Sequence, residues 1–312
     1  MMKINRRNFL KKTAAIGGSL LLGHLGDHSS KVFAAQNNMV RPDRFAMLTD
    51  LVRCVGCRSC ERACVKVNNL PMPKVGFFAD TNVFLEKRRP DAQTYTVVNY
   101  YENRKWKKPV YRKIQCNHCI EPACVAACLV GALKKDPEGP VIYNEELCIG
   151  CRYCMTACPF YIPAFDYFNA RSPAIKKCTM CHRRIVYGMI PACAEACSVQ
   201  AITFGKRSKL IKLARERIRN NPDRYIDYIY GEHEVGGTDW LYISGVPFEE
   251  VGFDMNLKTT PYPDFTKEFL SAVPFVLVTW PALLVWLSVW ARRGKEIGED
   301  KTSKQKKEGA KQ

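Results

Sequence analysis

The sequence predicts an α+β fold followed by one transmembrane helix near the C-terminus, and three observations support this prediction. Sixteen cysteines fall into four groups of four along the chain. Short apolar segments separated by turn signals predict small hairpins and short helices around these groups. Residues 269–290 form a 22-residue stretch without a charged side chain, which is long enough to span a bilayer.

Composition limits the class of protein. The chain has 312 residues, of which 47% are hydrophobic, enough for one or two buried cores. Its sixteen cysteines are several times the ordinary usage, yet too sparse for a small disulfide-stapled domain. These values exclude a disordered chain, a polytopic membrane protein and an ordinary cysteine-poor cytosolic enzyme.

The cysteines form regular runs with no cysteine left over. Groups one and three have the spacing C-x2-C-x2-C-x3-C, group two has C-x2-C-x4-C-x3-C, and group four has a longer middle gap. Group one is Cys54, Cys57, Cys60 and Cys64; group two is Cys116, Cys119, Cys124 and Cys128; group three is Cys148, Cys151, Cys154 and Cys158; group four is Cys178, Cys181, Cys193 and Cys197.

This spacing predicts iron–sulfur ligation. Three thiolates on one loop reach three corners of a [4Fe–4S] cube, while the fourth lies beyond a helical turn and points toward a second cube. Gly56 and Gly150 occupy equivalent places in groups one and three, which indicates a duplicated two-cluster module. Two alternatives remain, structural zinc and disulfides, but zinc sites carry C-x2-C pairs without the third and fourth cysteines.

Crossed ligation pairs group two with group three and group one with group four, because groups two and three lie close enough in sequence to form one compact two-cluster unit. The alternative is that each group closes on its own cube. Crossed ligation predicts set A as Cys116, Cys119, Cys124 and Cys158; set B as Cys128, Cys148, Cys151 and Cys154; set C as Cys64, Cys178, Cys181 and Cys193; and set D as Cys54, Cys57, Cys60 and Cys197.

The net charge of +18 does not indicate nucleic-acid binding. Much of the positive charge lies at the two ends of the chain, and four oxidised clusters, at about −2 each, would offset most of the remainder. The sequence contains no phosphate-binding, dinucleotide-binding or hydrolase motif. Since every cysteine is needed by a cube, no iron is left open to a substrate. We therefore expect a protein that transfers electrons and is not itself an enzyme.

Local patterns predict three elements around and after the cysteines. Residues 133–141 contain Asp136-Pro137-Glu138-Gly139, a turn signal between apolar pieces, and predict a hairpin. Residues 201–204 predict a strand after group four. Arg207–Asn220 predicts a helix with Leu210, Ile211, Leu213, Ala214 and Ile218 on its apolar side. Residues 221–268 carry no recognisable chemistry.

Both ends of the chain predict the same topology. Arg6 and Arg7 precede a short, weakly apolar stretch, the pattern of a twin-arginine export signal; the alternative is a basic amphipathic helix. The uncharged stretch is followed at once by Arg292 and Arg293, which places the tail in the cytoplasm; the alternative is a buried core helix. We expect the body to lie on the periplasmic face of the inner membrane.

The chain accordingly divides into five segments. They are an export signal at 1–34, a four-cluster domain at 35–205, an accessory helix and loop region with possible partner docking at 206–268, a transmembrane helix at 269–290, and a basic cytoplasmic tail at 291–312.

From about Arg44 to Phe253 the chain resembles the four-cluster, ferredoxin-like electron-transfer subunits of membrane-bound oxidoreductases. An export signal with one C-terminal span is most similar to the HybA-type iron–sulfur subunit of periplasmic nickel–iron hydrogenases. Further similarity lies in Lys134-Lys135-Asp136-Pro137 and Gly150-Cys151-Arg152-Tyr153-Cys154-Met155. Unlike typical relatives, the chain has no proline after Cys64, Cys128 and Cys197.

The resemblance implies two interlocked bacterial-ferredoxin-like modules that hold four [4Fe–4S] clusters. It also implies two kinds of partner: the small and large subunits of a periplasmic hydrogenase, and a quinone-reacting integral membrane subunit. The corresponding subunit of a formate dehydrogenase, a nitrite reductase or a molybdopterin-type reductase is the alternative. A zinc- or disulfide-stapled binding protein is the alternative of another class.

Overall fold

The computed structural model describes residues 43–103, 108–167 and 174–309. The export signal expected at residues 1–34 lies outside these ranges. All sixteen cysteines lie within them.

A three-stranded sheet ties the two ends of the cysteine-bearing segment together. Strand β1 (Phe45–Asp50) is central, with β8 (Ile202–Lys206) antiparallel on one side and β9 (Trp240–Ile243) parallel on the other. In this register Leu48 lies opposite Thr203 on one neighbour and Leu241 on the other. The segment that carries the cysteines therefore begins and ends at the same sheet.

The sheet separates two packed layers because successive strand side chains point to opposite faces. Ala46 and Leu48 pack against helix α6 (Arg207–Asn220), whose buried Leu210, Ala214 and Ile218 repeat every four residues. Met47 and Leu51 of the opposite face join the larger core, which includes several cysteines. The start of α6 is held by Asp43, whose carboxylate accepts a hydrogen bond from the Ser208 hydroxyl at 2.8 Å.

Three antiparallel hairpins and five short helices fill the region between β1 and β8. The hairpins are β2 (Val97–Tyr101) with β3 (Val110–Ile114), β4 (Leu133–Lys135) with β5 (Val141–Tyr143), and β6 (Ala164–Phe165) with β7 (Ile175–Lys176). The helices are α1 (Ser59–Val67), α2 (Ala123–Ala126), α3 (Tyr153–Ala157), α4 (His182–Val186) and α5 (Ala192–Glu195).

The local predictions agree with these elements at three places. The hairpin predicted at residues 133–141 is confirmed as β4 and β5, with Asp136 and Gly139 in the turn between them. The helix predicted at Arg207–Asn220 is confirmed with the same bounds. The strand predicted at residues 201–204 is β8, which is shifted slightly toward the C-terminus.

Strand β9 lies in the segment to which the sequence assigned no element. Its four side chains are buried, and its Tyr242 belongs to an aromatic cluster with Tyr230, Phe248 and Phe253 that packs into the larger core. Ring centroids in this cluster are as close as 4.4 Å, between Tyr230 and Phe253. The segment after α6 is thus part of the same packed body as β1.

The first compact unit ends at Pro261, and a second begins at Tyr262. The second unit consists of helix α7 (Asp264–Gly309), which contains Pro274 and Pro281. Residues Asp264–Arg292 of α7 are long and apolar enough to cross a membrane, and they include the predicted span at 269–290.

Candidate functional site

The sixteen cysteines are all free thiols, and most are buried or half-buried. Only Cys57 and Cys151 are exposed. Disulfides, one of the two alternatives to iron–sulfur ligation, are therefore not formed between any of these residues. Within the described ranges no group of three or more Cys, His, Asp or Glu side chains is arranged to hold a single metal ion.

Four thiols from two distant groups line one small cavity. Cys64 comes from helix α1, Cys178 and Cys181 come from the loop before α4, and Cys193 comes from α5. The two helices α1 and α5 pack against each other, which brings the first and fourth groups together. The lining thiols are those of set C.

A second small cavity is lined by the four thiols of set B. Cys128 follows helix α2, while Cys148, Cys151 and Cys154 lie in the loop and first turn of α3. Backbone amides already point at two of these sulfurs. The Ala132 amide donates to Cys128 Sγ at 3.2 Å, and the Gly150 amide donates to Cys148 Sγ at 3.4 Å.

The members of set A also lie near one another. Burial raises the pKa of the Cys119 thiol well above its ordinary value, and the neighbouring charges of Cys158, Cys116 and Cys124 raise it further. Burial likewise raises the pKa of Cys158 to about 11, with Cys116 adding to the effect. Thus Cys158, from the third group, lies among the cysteines of the second.

Set D is assembled in the same way. Burial raises the pKa of Cys54 to about 11; the Gly56 amide acts against this, while the charges of Cys197 and Cys57 add to it. Burial also raises the pKa of Cys60, whose charged neighbours include Cys193 and Cys54. Cys197, from the fourth group, therefore lies beside cysteines of the first.

These elevated pKa values indicate which charge state the thiols prefer when no metal is bound. Buried thiols crowded by other thiols resist losing protons, because each added thiolate repels its neighbours. Binding iron reverses this preference, since the positive metal stabilises thiolates and releases their protons. The arrangement is therefore suited to iron ions, which neutralise the thiolates that bind them, and it disfavours four free thiolates.

The first C-x2-C loop of each cysteine group has the same backbone feature. The residue just before the second cysteine is left-handed in each loop: Gly56 (φ +71°), His118 (φ +48°), Gly150 (φ +69°) and Met180 (φ +51°). Left-handed turns of this kind direct successive amides toward one point and form nests for anionic groups. Two glycines marked this geometry in the sequence, whereas His118 and Met180 did not.

His118 carries a buried polar atom without a partner in the described structure. Its Nδ1 accepts a hydrogen bond from the Val141 amide at 2.8 Å, so its Nε2 carries the proton. That Nε2 is buried and has no hydrogen-bond partner among the described residues. His118 lies between Cys116 and Cys119, where a sulfur-rich group would provide an acceptor. This orphaned donor fits a cluster at set A.

Three buried lysines lie among the cysteines, and their burial is not predicted by the sequence pattern. Lys113 and Lys177 are almost fully buried, and the Lys135 side chain is 7% exposed. Lys135 Nζ contacts Asp239 Oδ2 at 2.6 Å and the His118 carbonyl at 2.9 Å. Lys177 donates to the carbonyls of Val141 and Cys178. Buried cations at these places complement a centre of negative charge.

Comparisons with known proteins agree with this site. Residues 108–207 match the family model of a 4Fe-4S dicluster domain. A protein of Nitratidesulfovibrio vulgaris is 46% identical over 297 residues, which cover 95% of this chain and 80% of that protein. Hydrogenase-2 operon protein HybA of Escherichia coli O157:H7 is 35% identical over 281 residues, which cover 80% of this chain and 83% of HybA.

The iron–sulfur subunit of the nitrate-inducible formate dehydrogenase of Escherichia coli K12 is 34% identical over 203 residues. That match covers 64% of this chain and 67% of the subunit. The dicluster match covers the second, third and fourth cysteine groups. The chain belongs to the family of HybA-like iron–sulfur electron-transfer subunits of membrane-bound oxidoreductases.

Proposed function

We propose that the chain holds four [4Fe–4S] clusters in sets A to D and relays electrons between a periplasmic catalytic subunit and a quinone-reacting membrane subunit. One observation carries this proposal: four thiols from two different sequence groups line each of two cavities. A bound [4Fe–4S] cluster accepts and releases one electron without bond chemistry at a substrate.

Two kinds of observation support the four ligand sets. Sets B and C rest on four thiols around a common cavity. Sets A and D rest on the mutual influence of their thiol charges and on the burial of most members. The two crossed pairs support two interlocked modules, one made from groups two and three and the other from groups one and four.

The rest of the chain supplies the surroundings of the clusters. Amides of the left-handed loops point toward the cysteine sulfurs, and the apolar core around Met180 and Ile185 excludes water. Sets B and D each contain one exposed thiol, Cys151 and Cys57. We therefore place the two ends of the electron path at these sets.

A hydrogenase is the catalytic partner we propose first. The relative named hydrogenase-2 operon protein HybA aligns with 80% of this chain, while the formate dehydrogenase subunit aligns with 64%. The twin arginines and the basic residues after the span support a body on the periplasmic face, anchored by α7. The partners would be the hydrogenase small and large subunits and a membrane subunit that reacts with quinone.

Metal analysis of the parent chain and the spectrum of one cysteine variant together test the ligand sets. Purified anaerobically, the chain should contain about 16 iron and 16 sulfide, four of each for every cube. Cys197→Ser should alter only the cluster that Cys54, Cys57 and Cys60 also hold, as seen by electron paramagnetic resonance. Damage to the cluster of Cys178 and Cys181 instead would show that group four closes on its own cube. Stoichiometric zinc without sulfide would exclude clusters altogether.

Two assays on one deletion strain test the relay and its partner. Deleting the chain should abolish hydrogen-dependent quinone reduction by membranes and spare hydrogen-dependent reduction of a dye that accepts electrons directly from the hydrogenase. Loss of both activities with mature hydrogenase present would mean that the chain takes part in catalysis. If neither activity changes, hydrogenase is the wrong partner, and formate should replace hydrogen in the same pair of assays.

A further inference from the structure

Lys113 is a buried cation at the boundary between sets C and D. It lies in strand β3 and is 2% exposed. Its Nζ donates to Gln115 Oε1 at 3.0 Å and lies 4.5 Å from the centre of the Trp240 ring. Gln115 is held in turn by the Tyr242 hydroxyl, which accepts from Gln115 Nε2 at 2.5 Å. The ammonium group is therefore fixed by two buried side chains that are themselves anchored.

No carboxylate in the described parts of the chain lies within ion-pair distance of Lys113. A buried ammonium without an opposite charge is costly, because burial removes the water that would solvate it. A neutral amide and an aromatic face reduce this cost only partly. The balancing negative charge must therefore come from groups other than carboxylates.

Cysteines surround Lys113 on the side of the first cavity. Lys113 lines that cavity together with the four thiols of set C. Burial alone would lower the pKa of Lys113, but the charges of Cys193, Cys60, Cys178 and Cys64 raise it above its ordinary value. Lys113 in turn acts against the burial that raises the pKa of Cys60 and Cys54 in set D. Its field thus reaches both sets.

We propose that Lys113 is a fixed positive charge shared by the clusters of sets C and D, and that it raises the reduction potential of both. The inference rests on the proposed function. Reduction adds one negative charge to a cluster, and a nearby cation stabilises the reduced form more than the oxidised form. Lys113 contacts no substrate and is not a ligand, so it acts only through its charge.

The test compares midpoint potentials in the purified full-length chain, followed by electron paramagnetic resonance during an anaerobic redox titration. Lys113→Met removes the charge and keeps most of the side-chain volume. Lys113→Arg keeps the charge. Lys134→Met removes a lysine from the exposed side of strand β4 and is the matched control. The ligand variants Cys181→Ser and Cys57→Ser identify the signals of sets C and D.

We expect Lys113→Met to shift the midpoint potentials of sets C and D to more negative values and to leave sets A and B unchanged. Lys113→Arg and Lys134→Met should each leave all four potentials close to those of the parent chain. Unchanged potentials in Lys113→Met with full iron content would overturn the inference. Equal shifts in Lys134→Met would also overturn it, since the effect would then follow net charge and not position.

Iron and sulfide content distinguishes the remaining outcomes. If Lys113→Met loses clusters, Lys113→Gln is the second neutral variant, because it keeps a polar end for Gln115. Loss of clusters in both neutral variants but not in Lys113→Arg would support the inference that the positive charge at this position stabilises the clusters. Loss in all three would show that only the lysine shape is required and would overturn the inference. A parent chain without iron and sulfide would instead refute the proposed function.

Discussion

Asp239 is a buried carboxylate that balances the positive charges of the basic side chains beside the sheet. It is fully buried, and its two carboxylate oxygens lie 2.6 Å from Arg44 Nε and Lys135 Nζ. Arg207 Nε, from the first turn of α6, lies 3.8 Å away. One carboxylate therefore joins the residue before β1, the hairpin β4–β5 and the helix α6. Breaking a buried pair costs more than its net stabilisation, because the partner charges remain without compensation.

Asp239→Ala should lower the free energy of unfolding by about 3–5 kcal/mol, since it leaves buried cations unpaired. Arg215→Ala removes an exposed arginine of α6 that pairs with Glu232, and it should cost less than about 1 kcal/mol because solvent screens the arginine charge. Anaerobic denaturant titrations, followed by tryptophan fluorescence and cluster absorbance, compare the two variants. Equal losses would mean that the Asp239 network contributes no more than a surface pair.

At the scale of elements, the C-x2-C loop requires a backbone that only glycine adopts easily. Gly56 has φ +71°, and a Cβ atom there would lie 2.3 Å from Cε1 of the Tyr111 ring. Tyr111 cannot move freely, because it packs against the rings of Phe84 and Tyr100. A substitution at Gly56 thus combines backbone strain with a steric clash.

Gly56→Ala should disrupt the loop of Cys54 and Cys57, so that the iron content falls toward about 12 atoms per chain. The matched control is Gly188→Ala, because Gly188 has φ +72° and nothing within 4 Å of its added Cβ. This control carries only the backbone strain, about 1–2 kcal/mol, and should retain all clusters. Full iron content in Gly56→Ala would show that the loop tolerates the clash.

The elements differ in how well the sequence predicts them, and the reasons are physical. Helix α6 is amphipathic, with buried residues at every fourth position and charged residues between them, so its pattern fixes its bounds. Strand β9 is buried on both faces, so its sequence Trp-Leu-Tyr-Ile lacks the alternation that marks a half-buried strand.

The site shows the same division. Cysteine spacing predicts which thiols belong to one loop, because ligands of one cluster must lie a few residues apart. It cannot reveal Lys113, because a lysine in a strand normally faces solvent and its burial depends on Trp240, far away in the chain. It also cannot reveal the left-handed backbone at His118 and Met180, since most residues of both types have negative φ.

At the scale of the whole molecule, the two units differ in where their large apolar side chains lie. The first unit buries its apolar side chains in its own core, whereas in α7 large side chains such as Phe275, Leu277 and Trp290 are exposed. An apolar helix with exposed side chains is stable in hydrocarbon, because nearly all of its backbone groups are hydrogen-bonded within the helix and prolines such as Pro274 and Pro281 are tolerated there. We therefore expect α7 to determine the fractionation of the protein.

A chain that ends before Asp264 should be released from membranes by an alkaline carbonate wash, because it lacks the span. A chain that ends at Gly294 keeps residues 264–292 and should resist the same wash. Immunoblots of the washed membranes measure both. Retention of the shorter chain would show that the first unit binds the membrane by itself. In spheroplasts, added protease should degrade the first unit of the parent chain and spare the segment after Arg292.

The central place of β1 sets the order in which the protein can be assembled during synthesis. This strand is made early, but its two neighbours, β8 and β9, follow the last cysteine. The sheet therefore cannot close until Ile243 has left the ribosome, because β1 has two unpaired edges until β8 is made and one unpaired edge until β9 is made. Every thiol is translated during that interval. A chain that stops between β8 and β9 would therefore carry every thiol and still leave one edge of β1 unpaired.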